Sequence, residues 1–307
     1  MRNLSPAKNP TARPMLAALT VFTLWGFSFL ASKVGQFHAS PLTVLMYRFD
    51  IAFFVMALLW LVKRPKIRLR GKNLKGLFAL GLCEPVIYFL GEQYGLKYAN
   101  SAFAGVMIAL IPIVAMLLAA VFLKEKPTTA QWLFSLLSIG GVAAITLMAG
   151  GQGQVTPLGV ALLTVAVVTG AAYSVISRGI AKDFTAYERS LVMQAMGAVF
   201  FTFLAVTENA GEPARLLAPL MNADFLLATL YLSLGASVAG YYLFNYAVAN
   251  APMANVVSLS NLTTVLSVLA GVALLGEPFS LGSGIALAVI LLGIWGVQKS
   301  GADRPEA

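Results

Sequence analysis

The sequence predicts an all-α polytopic membrane protein: ten transmembrane helices arranged as two inverted five-helix repeats. Three observations carry that expectation. Apolar residues make up 59% of the 307-residue chain and charged ones only 11%, too few to cover the surface of a soluble protein of this size. The apolar stretches recur along the whole length, most of them near the ~20 residues that cross a bilayer as helix. Two of these stretches end on the same punctuation, Leu-x-Glu followed within two residues by Pro: "LKEKPT" at 123–128 and "LGEPFS" at 275–280.

Taken in order, span 1 (14–34) follows a basic start and has an apolar stretch longer than a secretory signal core, so it reads as a retained helix despite the small pair Ala31-Ser32. Span 2 (41–62) runs into a basic segment, and span 3 (74–92) carries Pro85 within it. Span 4 (100–122) stops at Glu125, and span 5 (129–149) ends in "AGGQGQ". That glycine-rich run follows no strand and lacks a P-loop lysine, so it reads as a flexible connection between halves, not a phosphate cradle. Spans 6 (157–178), 7 (187–207), 8 (224–248), 9 (252–275) and 10 (281–298) complete the count. The first repeat covers 14–149 and the second 157–298, with no segment between spans long enough for a soluble domain.

The net charge of +9 raises the question of a nucleic-acid partner, and the distribution answers it. With the N-terminus in the cytoplasm, the inside segments hold Arg2, Lys8, Arg13, Lys63, Arg64, Lys66, Arg68, Arg70, Lys72, Lys75, Lys124, Lys126, Arg178, Lys182, Arg189, Lys299 and Arg304. The outside holds Lys33, Lys97 and Arg215, and Arg48 falls within a span. This is a positive-inside topology signal, with membrane lipid as the surroundings and no nucleic acid as partner. It places both termini in the cytoplasm. One cysteine, Cys83, and one histidine, His38, allow no intrachain disulfide and argue against a Cys/His metal site; no cofactor is implied.

Adding 152 aligns Tyr94 with Tyr246, Leu110 with Leu262, Leu123 with Leu275, Glu125 with Glu277 and Gly141 with Gly293. Each half therefore carries five spans, and an odd number makes the second half enter the membrane from the opposite side. Glu125 and Glu277 are then one structural position used twice, at opposite surfaces. A carboxylate there is expected to accept from the free N–H groups that start the next helix, near Thr128 or Ser280.

These residues resemble a known family. "YANSAFAGVMIALIPIVAMLLAAVFLKEKPT", its partner "YAVANAPMANVVSLSNLTTVLSVLAGVALLGEPFS" and "LWGFSFLASKV" in span 1 are similar to the EamA-type repeats of the drug/metabolite transporter superfamily. The proportions and the aromatic, uncharged span 6 are most like the YddG-type amino-acid exporters. The resemblance implies a central cavity between the halves, alternating access, a bacterial-type inner membrane and a small-molecule substrate, an amino acid (aromatic or other neutral) or related metabolite. A drug or other metabolite carrier is the alternative within transport. An intramembrane enzyme is the alternative outside it, although the spans show no catalytic dyad. The second half has Thr264 where the first has Pro112, so the two hinges need not be equivalent.

Polar groups inside a bilayer are costly and usually face the bundle interior. Glu84, Tyr88 and Glu92 fall on one stripe of span 3, where Pro85 removes a backbone donor and predicts a kink. An ionised Glu84 at mid-membrane would carry a desolvation cost of several kcal/mol unless paired, which makes it the candidate for proton coupling. Tyr173 shares a face with Thr169 and Ser177; Tyr241 and Tyr242 precede Asn245 by four and three residues; Asn255, Ser258 and Asn261 step by three. Trp25 lies too deep for an interfacial belt. The candidate substrate-binding set is Trp25, Glu84, Tyr88, Tyr173, Tyr242, Asn245, Ser258 and Asn261. Asn and Ser serve equally well as helix–helix glue. Arg48 and Asp50, two apart, point away from each other, and Arg48 is close enough to the outer end of its span to snorkel.

Overall fold

The computed structural model describes residues 12–64, 71–98, 107–148, 156–275 and 280–302. Ten apolar helical segments lie among them: α1 (Ala12–Gln36), α2 (Pro41–Lys63), α3 (74–98), α4 (Ile111–Leu123), α5 (Thr129–Met148), α6 (Pro157–Gly179), α7 (Ala186–Glu208), α8 (Ala223–Asn250), α9 (253–275) and α10 (Leu281–Ala302). Seven are long and apolar enough to cross a membrane, and α4, α5 and α9 hold shorter apolar stretches. Glu277 and the glycine-rich connection at 149–154 lie outside the described residues.

The helices pair across the two halves. α5 lies along α10 and α2 along α7; α3 packs on α6 as α8 packs on α1, and α4 packs on α6 as α9 packs on α1. Exchanging each helix of the first half with its counterpart in the second leaves this pattern unchanged, as a two-fold relation requires. The α5–α10 seam shows the relation residue by residue. A Cβ placed on Gly141 would fall 2.9 Å from the Ala286 carbonyl oxygen and 2.8 Å from Ile290 Cγ1; one on Gly293 would fall 2.7 Å from the Phe134 carbonyl oxygen and 2.6 Å from Ser138 Cβ. Residues 134, 138 and 141 are the repeat counterparts of 286, 290 and 293, so each helix offers its partner the same notch. Gly293→Ala is therefore expected to lower stability by about 1–3 kcal/mol, the usual cost of overpacking. Gly140→Ala, with nothing within 4 Å of the added atom, should leave the unfolding midpoint in detergent in place. Equal midpoints for the two variants would remove the close-packing account.

Several spans are interrupted near mid-length. In α3 the residue before Pro85, Glu84, leaves helical geometry (φ −145°, ψ 122°), because a proline disfavours α backbone in its predecessor. The predicted kink is thus a break in the helix at Glu84. In α8 residues Tyr231–Ala239 form a π-helical stretch, a form frequent at functional sites. The hinges of α4 and α9 occupy matching positions despite their different residues. A turn at 109–110 precedes Ile111-Pro112, and a 3-10 turn, Leu259–Asn261, precedes Leu262. Proline starts the helix in the first half; in the second the Thr263 hydroxyl donates to the Ser260 carbonyl at 2.6 Å and competes with the helix ladder.

Glu125 corrects one expectation. It does not cap α5: the Thr128 N–H donates to Gln131 Oε1 at 2.9 Å and the Gln131 N–H to Thr128 Oγ1 at 3.1 Å, so that helix start satisfies itself. The freed carboxylate reaches into the other half. It accepts from the Met253 N–H at the start of α9 at 2.9 Å and from Nε of Arg178 at the end of α6. Arg178 Nη1 donates to the carbonyls of Val248 and Ala251 at 2.6 and 2.7 Å, which close α8. One ion pair thus ties α4 and α6 to the α8–α9 turn, at the end of the bundle that also carries Lys72, Lys124 and Lys182. This is the basic end of the bundle.

Candidate functional site

The core between the halves is an aromatic cluster built by α1, α6 and α8. Trp25 contacts the rings of Phe22, Tyr241 and Phe244 at centroid separations of 5.5, 5.6 and 5.4 Å. Tyr173 stacks on Phe244 at 5.3 Å and meets Tyr241 edge-on at 6.0 Å. The Trp25 indole N–H donates to the Ala236 carbonyl at 2.9 Å, inside the π-helical stretch. The wider turn there leaves a carbonyl free to serve a side chain of another helix.

Polar groups line this cluster on two levels. Nearest the α3 break, Tyr241 donates its hydroxyl to Glu84 Oε1 at 2.9 Å, joining the two halves, and Tyr88 donates to Glu92 at 3.0 Å. Glu84 and Glu92 are both 8% exposed. Toward the basic end, Asn245 is a node with no exposure. Its Oδ1 accepts from Ser177 at 2.6 Å and Tyr173 at 3.4 Å, and its Nδ2 donates to Ser190 Oγ at 3.0 Å. Behind it, Arg189 is 1% exposed and donates to Ser177 Oγ and the Ser177 carbonyl, each at 2.5 Å, and to the Asn245 carbonyl at 2.7 Å. The reading of Arg189 as a basic residue of an inside segment is thereby corrected: its side chain lies within the bundle, and its neighbour Glu188 makes the capping box with Thr185 and pairs with Lys72 at 3.1 Å.

Of the eight candidate residues, Trp25, Glu84, Tyr88, Tyr173 and Asn245 are brought into this column. Tyr242 is not; it is 43% exposed, because the α8 face holding Tyr241 and Asn245 turns inward and Tyr242, one residue round, turns out. Ser258 and Asn261 are buried against other helices. Gln298 donates to Ser258 Oγ at 3.1 Å, Asn261 donates to Ser138 Oγ at 3.0 Å, and Gln131 reaches Asn255 at 3.0 Å. These bonds knit α9 to α5 and α10, the glue role open to such residues. Arg48 does not snorkel. It is 5% exposed, its Nε donates to Ser237 Oγ at 2.7 Å, and its guanidinium lies 4.9 Å from the Phe89 ring centroid. Asp50 points the other way and accepts from Thr202 at 2.8 Å.

Tyr241, Ser177, Arg189 and Arg48, which the structure places in or beside this column, were not in the candidate set. Tyr241 and Ser177 carried a visible signal, the four-residue spacing to Asn245 and Tyr173. Arg189 did not, since a basic residue near a span end reads as topology, and Arg48, seen within a span, read as a snorkelling residue.

Comparison with known proteins adds the family. The EamA-like transporter family model matches residues 12–147 and 157–298. The uncharacterized transporter YcxC of Bacillus subtilis is 30% identical over 284 residues, covering 92% of this chain and 91% of that protein. A probable terminal-alkyne amino-acid exporter of Streptantibioticus cattleyicolor is 28% identical over 281 residues, covering 89% and 90%. A solved crystal structure superposes with a TM-score of 0.78 at 22% identity, covering 94% of this chain and 97% of its own, which shows a shared fold. Two matches to one repeat model, full-length relatives and the paired five-helix halves lead to one conclusion: this chain belongs to the EamA-like transporter family.

Proposed function

We infer that the protein is a secondary carrier that exports small metabolites, neutral amino acids with aromatic or other apolar side chains, by alternating access between its two halves. The observation that carries this reading is the aromatic cluster of Trp25, Tyr173, Tyr241 and Phe244 set between Glu84 and Asn245. Such a site offers an apolar wall to a side chain and polar groups to a head. The Streptantibioticus relative, named as an amino-acid exporter, supports the substrate class. Trp25, Glu84, Tyr88, Tyr173 and Asn245 are the substrate-facing residues in this reading, the repeats 14–149 and 157–298 are the two rocking units, and the basic end faces the cytoplasm. The Glu125–Arg178 tie closes that end, and its release opens the cavity inward.

The test is counterflow of a panel of amino acids and other metabolites in protein-only vesicles, with product analysis. Exchange of neutral amino acids without chemical change is expected. Exchange confined to other compounds would overturn the amino-acid reading, and chemical conversion would overturn transport. In the same vesicles Glu84→Gln should fold and bind but flatten the pH dependence of flux. A parental rate and pH profile would make Glu84 purely structural.

A further inference from the structure

Two buried polar groups beside Glu84 are left incomplete. Arg48 and Gln194, from α2 and α7, both lean on Ser237 of α8: Arg48 through Nε to Oγ at 2.7 Å, Gln194 through Nε2 to the carbonyl at 3.2 Å. Gln194 has no exposure, and its Oε1 is buried without a hydrogen-bond partner. Among the described residues Arg48 makes no ion pair, and its Nη1 and Nη2 make no hydrogen bond. The amide orientation of Gln194 follows from the Ser237 carbonyl, which only an N–H can meet. A buried acceptor left without a donor calls for a partner, and beside it, among the described residues, the Arg48 guanidinium, beyond Ser237, meets only the Phe49 and Phe89 rings, at 5.4 and 4.9 Å from their centroids.

The place is central. Gly197, one turn beyond Gln194, sits where a Cβ would lie 2.7 Å from the Phe49 ring and 2.9 Å from Pro85 Cγ. Gln194, Arg48 and the α3 break therefore stand at one level, next to the Glu84–Tyr241 bond. Arg48 and Glu84 are within electrostatic reach of each other.

We propose that Arg48 and Gln194 form the head-group subsite of the carrier, Arg48 receiving a carboxylate on its Nη edge and Gln194 Oε1 accepting an N–H from the neighbouring ammonium. A guanidinium edge suits the two oxygens of a carboxylate, and an orphaned buried acceptor discriminates strongly against a ligand that lacks the donor. A carboxylate and an N–H donor on adjacent atoms define an α-amino acid. The side chain then extends toward the aromatic cluster. This subsite rests on the amino-acid reading above and names the part of the substrate that is read.

Purified protein is tested for ligand-induced thermal stabilisation and counterflow with L-phenylalanine, its primary amide (carboxylate removed), 3-phenylpropionate (ammonium removed) and phenethylamine. The parent protein should favour phenylalanine over the amide and over phenylpropionate by tenfold or more. Arg48→Met should erase the preference over the amide, and Gln194→Met the preference over phenylpropionate, each leaving the other preference in place. Arg48→Lys, which keeps the charge but not the edge, should retain part of the acid preference and serves if Arg48→Met does not fold. Parental selectivity retained in folded Arg48→Met or Arg48→Lys and in Gln194→Met overturns the subsite alone, as when a water completes both groups. A parent that responds to none of the four compounds, and exchanges no other neutral amino acid in counterflow, overturns the amino-acid reading and the subsite with it.

Discussion

Arg189→Met should lower the unfolding free energy by about 3 kcal/mol or more, since hydrogen bonds from a charged donor contribute roughly 1.5–3 kcal/mol each and removing one partner leaves buried groups unmet. Methionine fills much of the same volume, so the loss reports hydrogen bonding rather than a cavity. The guanidinium binds α6 at Ser177, α8 at Asn245 and, at 3.4 Å, the Thr185 carbonyl beside the start of its own helix. Three helices thus lose one common donor, and Ser177 Oγ is freed to swing from Asn245. Arg189→Lys, with a compact head that cannot span all three, should fall between. The measurement is the thermal midpoint in detergent together with the labelling rate of a cysteine at Ser190. A parental midpoint and labelling rate for Arg189→Met would mean that the buried charge contributes nothing to holding α6, α7 and α8 together.

Breaking the tie at the basic end should change transport more than stability. Glu125 and Arg178 are each 25% exposed, so solvent screening limits what the ion pair contributes to folding to about 1 kcal/mol. In the proposed alternation its effect on conformation is larger, because it bridges elements that would then have to separate. Glu125→Gln keeps an acceptor for Met253 but loses the charge that holds Arg178, and Arg178→Gln loses the two carbonyls that end α8. Each is expected to slow counterflow about tenfold, which corresponds to about 1.4 kcal/mol. The double variant should be little worse than either single one, since the three groups act as one unit. In a Cys83→Ser background a cysteine at Ala254, 6% exposed, should react faster with an impermeant thiol reagent applied to the basic end once Glu125 is Gln. Additive losses and an unchanged reaction rate would contradict a closing role.

The fold was legible because its causes are local and repeated. Hydropathy at bilayer length marks each span, and the recurrence from Leu110 to Gly141 in Leu262 to Gly293 marks the repeat. The site was legible only where polar spacing and helical face agreed, as for Tyr173 with Ser177 and Asn245 with Tyr241. Three things hid the rest. The break at Glu84 gives it a backbone geometry that a regular helical stripe does not predict, and with it the bond to Tyr241 of the other half. The π-helical turn in α8 offers backbone carbonyls, which no side-chain pattern records, to Trp25 and Gln194. Asn261 and Ser258 have the same residue types as a lining face, yet their partners on α5 and α10 are set by tertiary packing. Glu125 failed in an instructive way: Thr128 and Gln131 already form a complete cap, and that pair was readable in "TTAQ" at 128–131.

The reciprocal notch at Gly141 and Gly293 bears on ancestry and on engineering. The two sides of the α5–α10 seam carry a glycine notch at counterpart positions, so a five-helix half that used this notch on a second copy of itself could do so only if that copy lay upside down in the bilayer. An ancestor of half the present length would have needed to insert in both orientations to make one working pair. Joining two copies in a single chain removes that requirement. Cutting the chain between the halves asks the two pieces to find opposite orientations independently, while swapping α5 for α10 asks each notch to meet its own likeness.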